Sequence, residues 1–246
     1  MQYTRLLTVM SERLLREYLS LIVEKIRTKK GVKNPMGSRF DLKQFKELGS
    51  TDAMQAYAEQ FLDKLGQGSS RATFLLSGKY VLKIGINEKG LAQNNAELDV
   101  YTNPKSKPIV AKIYSSDDKN RWLISDLVKP IKSEDEFKQL AGVGWQDFSS
   151  MVQDGLKNNH ISDEATPFVK AVISTGRDNK LLAGDLTRTL RGSPSKANDP
   201  IDHWGKTPDG RLVLLDYGFT EDVYKSHYSP GKKKARPEWA RRSREP

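Results

Sequence analysis

The sequence contains no cysteine, which excludes disulfides, a thiolate nucleophile and any zinc site built on cysteine. Its 3 histidines, His160, His203 and His227, lie far apart and show no metal-ligand spacing. No apolar run approaches the roughly 20 residues of a membrane-spanning helix, and the first residues do not resemble a secretory signal. We therefore expect a cytoplasmic protein with no membrane partner.

The composition is that of a globular protein. The chain has 246 residues, of which 37% are hydrophobic and 29% charged, enough for one large domain or two small lobes. The formal net charge of +10 is concentrated in a basic tail, 225–246, where Glu238 and Glu245 oppose a larger set of lysines and arginines. This tail is a candidate nucleic-acid contact, or it is a solvated terminus that aids solubility.

The first 65 residues predict a helical N-terminal extension, 1–65. Apolar residues recur at helical spacing near the start of the chain. They are Leu6, Leu7, Met10, Leu14, Tyr18, Ile22 and Ile26. A second helix is predicted over 51–65, with Thr51 or Asp52 as its N-terminal cap. We expect these helices to serve packing or partner contacts rather than chemistry.

A glycine- and serine-rich turn follows the predicted helices. It carries Gly66, Gly68, Ser69 and Ser70, and backbone N–H groups in such a turn suit phosphate oxygens. Two short strands are predicted directly after it, on either side of a Ser-Gly turn. The pattern therefore indicates a phosphate site at the edge of a small sheet.

Lys83 lies in the second of these strands, within the apolar segment Tyr-Val-Leu-Lys-Ile-Gly. A lysine is costly to bury unless a negative group meets it. The predicted helix 89–101 carries Glu97, which is a candidate partner. The alternative is that Lys83 lies on the solvent face of its strand.

The middle of the chain predicts more strands and then helices. Two antiparallel strands, 108–114 and 121–128, flank a polar turn, and the second ends near Lys129-Pro130, a natural hinge. Helices are then predicted from the cap Ser133, over 147–156 and over 167–174.

The stretch from Arg211 to Phe219 ends the predicted fold. Four apolar residues, Leu212 to Leu215, predict a buried strand after the turn Thr-Pro-Asp-Gly. The strand ends at Asp216, followed by Tyr217 and Gly218. Taken alone, this pattern fits equally a strand that ends in a turn capped by the aspartate.

In order along the chain, these features resemble those of the protein-kinase-like fold. The glycine turn, the strand lysine Lys83, the helix glutamate Glu97, a hinge at 126–128 and Asp216-Tyr217-Gly218 follow the family's sequence, with Asp-Tyr-Gly in place of Asp-Phe-Gly. The resemblance implies an α+β, two-lobed protein-kinase-like fold with a helical N-terminal extension and a reduced C-terminal lobe. Its parts would be an N-lobe, 66–128, a C-lobe, 129–224, and the basic tail.

The resemblance implies ATP and Mg²⁺ as cofactors. The turn from Gly66 to Ser70 would cover the phosphates, while Lys83, paired with Glu97, would contact the α- and β-phosphates. Asp126 and Val128 would lie at the hinge beside the nucleotide. Asp216 would hold the metal.

The catalytic loop departs from the family pattern. Asp185 matches the aspartate that accepts the substrate proton, but five residues later the chain has Leu190 where the family has asparagine. A polar insertion over 189–200 would make Asp202 the second metal ligand and let Arg188 reach the transferring phosphate. In the competing alignment Asn198 or Asp199 is the important residue, and Asp185 is a cap.

Three functions follow as hypotheses. The first is an ATP- and Mg²⁺-dependent phosphotransferase whose acceptor is a protein, a nucleotide or a small molecule. The second is a pseudokinase, because few residues follow Gly218 and none matches the Ala-Pro-Glu segment. The chain resembles bacteriophage-encoded kinase-like proteins with an Asp-x-Trp-Gly block, which implies virion proteins as partners and a host-cytoplasm or virion location. The third is nucleic-acid binding through the basic tail.

Overall fold

The computed structural model describes residues 39–187 and 201–229, and for Asp185, Ile201 and Asp202 it describes the backbone alone. The first predicted helix, Arg188, the predicted insertion with Asn198 and Asp199, and the basic tail beyond Ser229 lie outside the described residues. The nucleic-acid role of that tail therefore stays a prediction.

Two short helices open the described chain: α1, Leu42–Glu47, and α2, Thr51–Phe61. Helix α2 is capped by Ser50, whose side chain accepts from the Ala53 N–H. The prediction that this helix continues to residue 65 is wrong. Residues Asp63–Gln67 instead form the edge strand β1, which pairs with the next strand and leaves Leu65 50% exposed.

Five antiparallel strands form the first sheet, in the order β1-β2-β3-β5-β4. The remaining four are β2, Arg71–Ser77, β3, Tyr80–Gly85, β4, Ile113–Ser116, and β5, Trp122–Asp126. Helix α3, Glu88–Thr102, lies between β3 and β4 in the chain. The α+β class expected from the sequence is confirmed, since this antiparallel sheet is followed by a helical region.

Alternation along β3 sends its side chains to two different surroundings. Leu82 and Ile84 pack in a hydrophobic cluster with residues of α1 and α2, such as Phe45 and Met54. Val81 and Lys83, on the other face, line a cavity. The two N-terminal helices thus cover the back of the sheet and leave the front available for a site.

The predicted strand 108–114 begins only at Ile113. The segment before it pairs elsewhere: the Leu214 N–H donates to the Ile109 carbonyl at 2.7 Å, and the Ala111 N–H donates to the Leu214 carbonyl at 3.0 Å. Leu214 belongs to a second sheet of three strands. These are β6, Lys129–Ile131, β7, Ile201–Lys206, and β8, Leu212–Leu214. The segment therefore joins the two sheets.

The helical region packs around aromatic side chains. Its helices are α4, Glu134–Ala141, α5, Trp145–Asn158, α6, Pro167–Asp178, α7, Ala183–Leu186, and α8, Glu221–His227. Phe137, Trp145, Phe148 and Trp204 form edge-on ring contacts in a second hydrophobic cluster. None of the helices in the described part of the chain is long and apolar enough to cross a membrane.

Candidate functional site

A cavity of about 740 Å³ lies between the front of the five-stranded sheet and the end of the β7–β8 hairpin. Its lining includes eight of the residues singled out from the sequence. They are Gly66, Gly68, Ser69, Ser70, Lys83, Asp126, Val128 and Asp216. Residues separated by 150 positions in the chain thus share one cavity, because β8 returns beneath the sheet through its pairing with Ile109 and Ala111.

Lys83 is buried and paired. Its Nζ lies 2.9 and 2.8 Å from the two carboxylate oxygens of Glu97 and 2.9 Å from the Leu215 carbonyl. Lys83 is 8% exposed and Glu97 is fully buried. The expected pairing is present and the solvent-face alternative is wrong, since a buried ammonium needs an anionic partner. Glu97 lies behind the cavity and positions the lysine.

Arg71 is a second buried cation, and the sequence reasoning missed it. Its Nη1 donates to Glu97 Oε1 at 2.6 Å, and its Nη2 donates to Asp216 Oδ1 at 2.5 Å. The only sequence signal was an arginine directly after the glycine-serine turn. Its burial, at 8% exposed, depends on α3 and β8 closing around it, which local sequence does not show.

The charges around Asp216 keep its carboxylate ionised. Burial alone would raise the pKa of Asp216, but Arg71, Lys83 and His203 lower that pKa well below its usual range. Burial would likewise lower the pKa of Arg71, yet Asp216 and Glu97 raise it above normal. The Asp216 side chain is 49% exposed, so its charge is accessible from the cavity.

The glycine turn is held at its end and open along its length. Gly68 N–H donates to the Arg71 carbonyl at 2.9 Å, and the Ser70 hydroxyl donates to Gln93 Oε1 at 2.7 Å. A Cβ added at Gly66 or Gly68 would meet no heavy atom within 4 Å. Neither glycine has a positive φ, so neither packing nor backbone conformation requires glycine there.

The other end of the cavity is apolar. Val81, Ala111, Val128 and Leu215 line it, with the exposed side chain of Leu65 above. The Asp126 carboxylate accepts hydrogen bonds from the Tyr114 hydroxyl at 2.8 Å and the Lys112 N–H at 3.2 Å. That carboxylate therefore ties β4 to β5 at the edge of the cavity.

The segment after Asp216 is packed tightly against α3. The Tyr217 hydroxyl donates to the Ala111 carbonyl at 2.6 Å, and burial raises the pKa of Tyr217 well above normal, so the phenol stays neutral. A Cβ added at Gly218 would lie 2.3 Å from the Gln93 carbonyl oxygen. Only glycine fits there without a backbone shift.

Other residues that line the cavity were not anticipated from the sequence. They are Gln93, His203, Phe219 and Tyr228, among others. Gln93 Nε2 donates to the Tyr228 hydroxyl at 3.2 Å, and the Phe219 and Tyr228 rings are 4.8 Å apart. The start of α3 is thereby linked to the segment that follows α8.

The backbone places two of the predicted catalytic positions near this site. Asp185 lies in α7, next to Leu186, whose carbonyl accepts from the Trp204 Nε1–H at 2.9 Å. In the β7–β8 hairpin Trp204 pairs with Leu214, and the Leu215 N–H donates to the His203 carbonyl at 2.8 Å. One step further along this register, position 202 faces position 216. The structure does not bring together a set of side chains for either alignment of the catalytic loop, since Arg188, Asn198 and Asp199 are outside its range.

Metal-binding capacity in the described part of the chain rests on Asp216. No group of three or more histidine, aspartate or glutamate side chains occurs within 39–187 and 201–229 that could hold a metal ion. An ionised, half-exposed carboxylate still suits a hard cation such as Mg²⁺, which usually takes one or two carboxylates and completes its shell with water and phosphate oxygens.

Comparison with known proteins gives a distant structural likeness. No protein-family model matches the chain, and no curated protein matches it. Among solved structures, the chain is similar to that of the streptomycin–ATP–APH(2″)-IIa ternary complex, with a TM-score of 0.35 and 13% identity over 70% of this chain and 71% of that chain. A likeness this distant does not bear on activity, and none of these comparisons supports a bacteriophage relationship.

Proposed function

We propose that this protein is a two-lobed, kinase-like phosphotransferase that binds ATP with Mg²⁺ in the cavity between its sheets. One observation carries the proposal: the buried Lys83–Glu97 pair, an open glycine turn and the half-exposed Asp216 all meet at a single cavity. A triphosphate with a divalent cation requires this combination of a fixed cation, backbone donors and an anionic ligand.

The proposed phosphate end is the region between the glycine turn and Lys83. The open space at Gly66 and Gly68 lets phosphate oxygens approach the turn backbone closely. Lys83, whose ammonium is fixed by Glu97 and by the Leu215 carbonyl, supplies a positive charge that needs no reorganisation when an anion arrives.

The proposed base end is the apolar part of the cavity. Leu65 from β1 and Leu215 after β8 offer aliphatic surface on which a planar base can stack, and Val128 closes the far side. The exposure of Leu65, at 50%, is costly for a large apolar side chain on an edge strand. A bound base would cover it.

The residues that fit Mg²⁺ are Asp216 and, from the sequence, Asp202 across the hairpin. Bound there, the cation would neutralise charge on the phosphates. Asp185 is proposed to accept the proton of the attacking hydroxyl, and Arg188 to neutralise charge on the transferring phosphate. The backbone tie between Leu186 and Trp204 supports these positions, because it holds α7 against the strand that carries Asp202.

A thermal-shift experiment with Mg-ATP tests nucleotide binding. Nucleotide at about 100 times its Kd stabilises the folded state by about 2.7 kcal/mol, which raises Tm by roughly 5–10 °C for a chain of this size. Asp216→Ala and Lys83→Met should each remove most of this rise. Asp209→Ala is the matched control, because Asp209 pairs with Arg211 at 2.8 Å in the β7–β8 turn and does not line the cavity.

The same samples with γ-labelled ATP separate transfer from binding. Label on the protein or on an added acceptor supports the phosphotransferase. A wild-type Tm rise with no labelled product favours the pseudokinase, which would serve as a structural or regulatory component. No Tm rise at millimolar Mg-ATP rejects the nucleotide site altogether.

A further inference from the structure

Arg71 lies between the two carboxylates of the site. Its guanidinium uses one nitrogen for Glu97, at 2.6 Å, and another for Asp216, at 2.5 Å. Glu97 is fully buried and also holds Lys83, so that end of the guanidinium is anchored. Asp216 is half-exposed, so the other end meets a carboxylate that a second cation can also reach.

Arg71 and a metal ion cannot both neutralise Asp216 at full strength. A cation 2.5 Å from Asp216 Oδ1 repels any divalent ion that approaches the same carboxylate, and the repulsion is strong in a partly desolvated site. Arg71 itself lines the cavity. A guanidinium released from Asp216 would therefore still face the space in which the phosphates are proposed to lie.

We propose that Arg71 couples metal binding to nucleotide binding by competing with the metal for Asp216. Metal alone must displace the guanidinium from its partner and therefore binds weakly. A triphosphate offers the displaced end of Arg71 a new anionic partner, in the forked geometry that arginine favours, so the exchange becomes favourable when both ligands are present. This inference rests on the proposed function, and it adds to that function a named residue that makes occupancy of the two sites interdependent.

Titration of the full-length protein with Mn²⁺ alone tests the competition directly. Free Mn²⁺ is followed by electron paramagnetic resonance, with no nucleotide in the sample. Arg71→Met removes the competing charge and should tighten Mn²⁺ binding at least about tenfold relative to the wild type. The double variant Arg71→Met/Asp216→Asn should lose that gain, which locates the effect at Asp216.

Two further variants control for folding and for charge. Arg121→Met is matched chemically, because Arg121 pairs with Asp117 at 2.8 Å and does not line the cavity; it should leave Mn²⁺ affinity unchanged. Arg71→Gln retains a donor for Glu97 while removing the charge, and it replaces Arg71→Met if the methionine variant does not fold. Circular dichroism identifies which variants are folded.

Unchanged or weaker Mn²⁺ binding in the folded Arg71 variants would overturn the competition and leave Arg71 a structural ion-pair partner. Tighter Mn²⁺ binding that persists in the double variant would also overturn it, because the gain would then lie elsewhere. Because these titrations contain no nucleotide, their outcome is independent of the Mg-ATP thermal shift. Failure of the proposed function and failure of this inference are thus separately visible.

Discussion

The glycine turn and the Asp-Tyr-Gly segment line the same cavity from opposite sheets, yet their glycines are under different constraints. A Cβ at Gly66 or Gly68 would meet no heavy atom within 4 Å, whereas a Cβ at Gly218 would lie 2.3 Å from the backbone oxygen of Gln93. The fold therefore requires glycine at 218 and does not require it at 66 or 68. We infer that the first two glycines are there for what occupies the cavity.

The two carboxylates of the site differ in the same way. Glu97 is fully buried with two cations on it, and Asp216 is half-exposed with Arg71 on one oxygen. Removing Glu97 would leave two buried cations with less compensation, whereas Asp216 has an oxygen available to a ligand. Together, the paired features separate what holds the site from what the site can bind.

The largest effect should follow from Gly218→Ala. The added methyl group overlaps backbone atoms of α3 rather than a side chain that can move, so we expect a loss of about 2 kcal/mol in the free energy of unfolding. That corresponds to a fall in Tm of roughly 4–8 °C. Gly78→Ala, with open space around the added Cβ, is the control. Equal Tm values for the two variants would mean that Gly218 is not packed as described.

An intermediate effect, on binding alone, should follow from Gly68→Ala. Stability should change by less than about 0.5 kcal/mol, because the methyl group enters open space, while the Kd for Mg-ATP should rise about tenfold as the phosphates lose their close approach to the turn. Calorimetry measures the Kd, and Gly78→Ala again serves as control. Wild-type affinity in both Gly66→Ala and Gly68→Ala would show that no ligand reaches the turn backbone.

The smallest effect should be the pH dependence of the Asp216 contribution. The folded-state pKa of Asp216 is lowered by Arg71 and Lys83 despite burial, whereas the unfolded value is about 3.9. The ionised carboxylate therefore stabilises the fold above about pH 4, and this stabilisation is lost as the pH falls further. Urea unfolding of the wild type and Asp216→Asn should show a difference that shrinks between about pH 5 and 2. A difference independent of pH, or one that grows in acid, would refute the Arg71–Asp216 pairing.

Local sequence patterns predicted those elements whose cause is local. The caps Ser50 and Ser133, the Thr-Pro-Asp-Gly turn and the apolar strand that starts at Leu212 follow from residue type and spacing. The predicted helix 51–65 failed at its end because Asp63–Gln67 pair with a neighbouring strand, and helical periodicity does not register a pairing partner elsewhere in the chain.

The sequence by itself determined that a buried lysine in β3 needs an anion, that a strand ends at Asp216, and that the chain carries no thiol chemistry. Only the tertiary structure decided that Arg71 bridges Glu97 and Asp216 and that Gly218, rather than Gly66 or Gly68, is fixed by packing. The physical reason is range. Helix caps and turns are settled within a few residues, whereas the Arg71–Asp216 contact joins positions 145 residues apart and exists only once both sheets and α3 have packed.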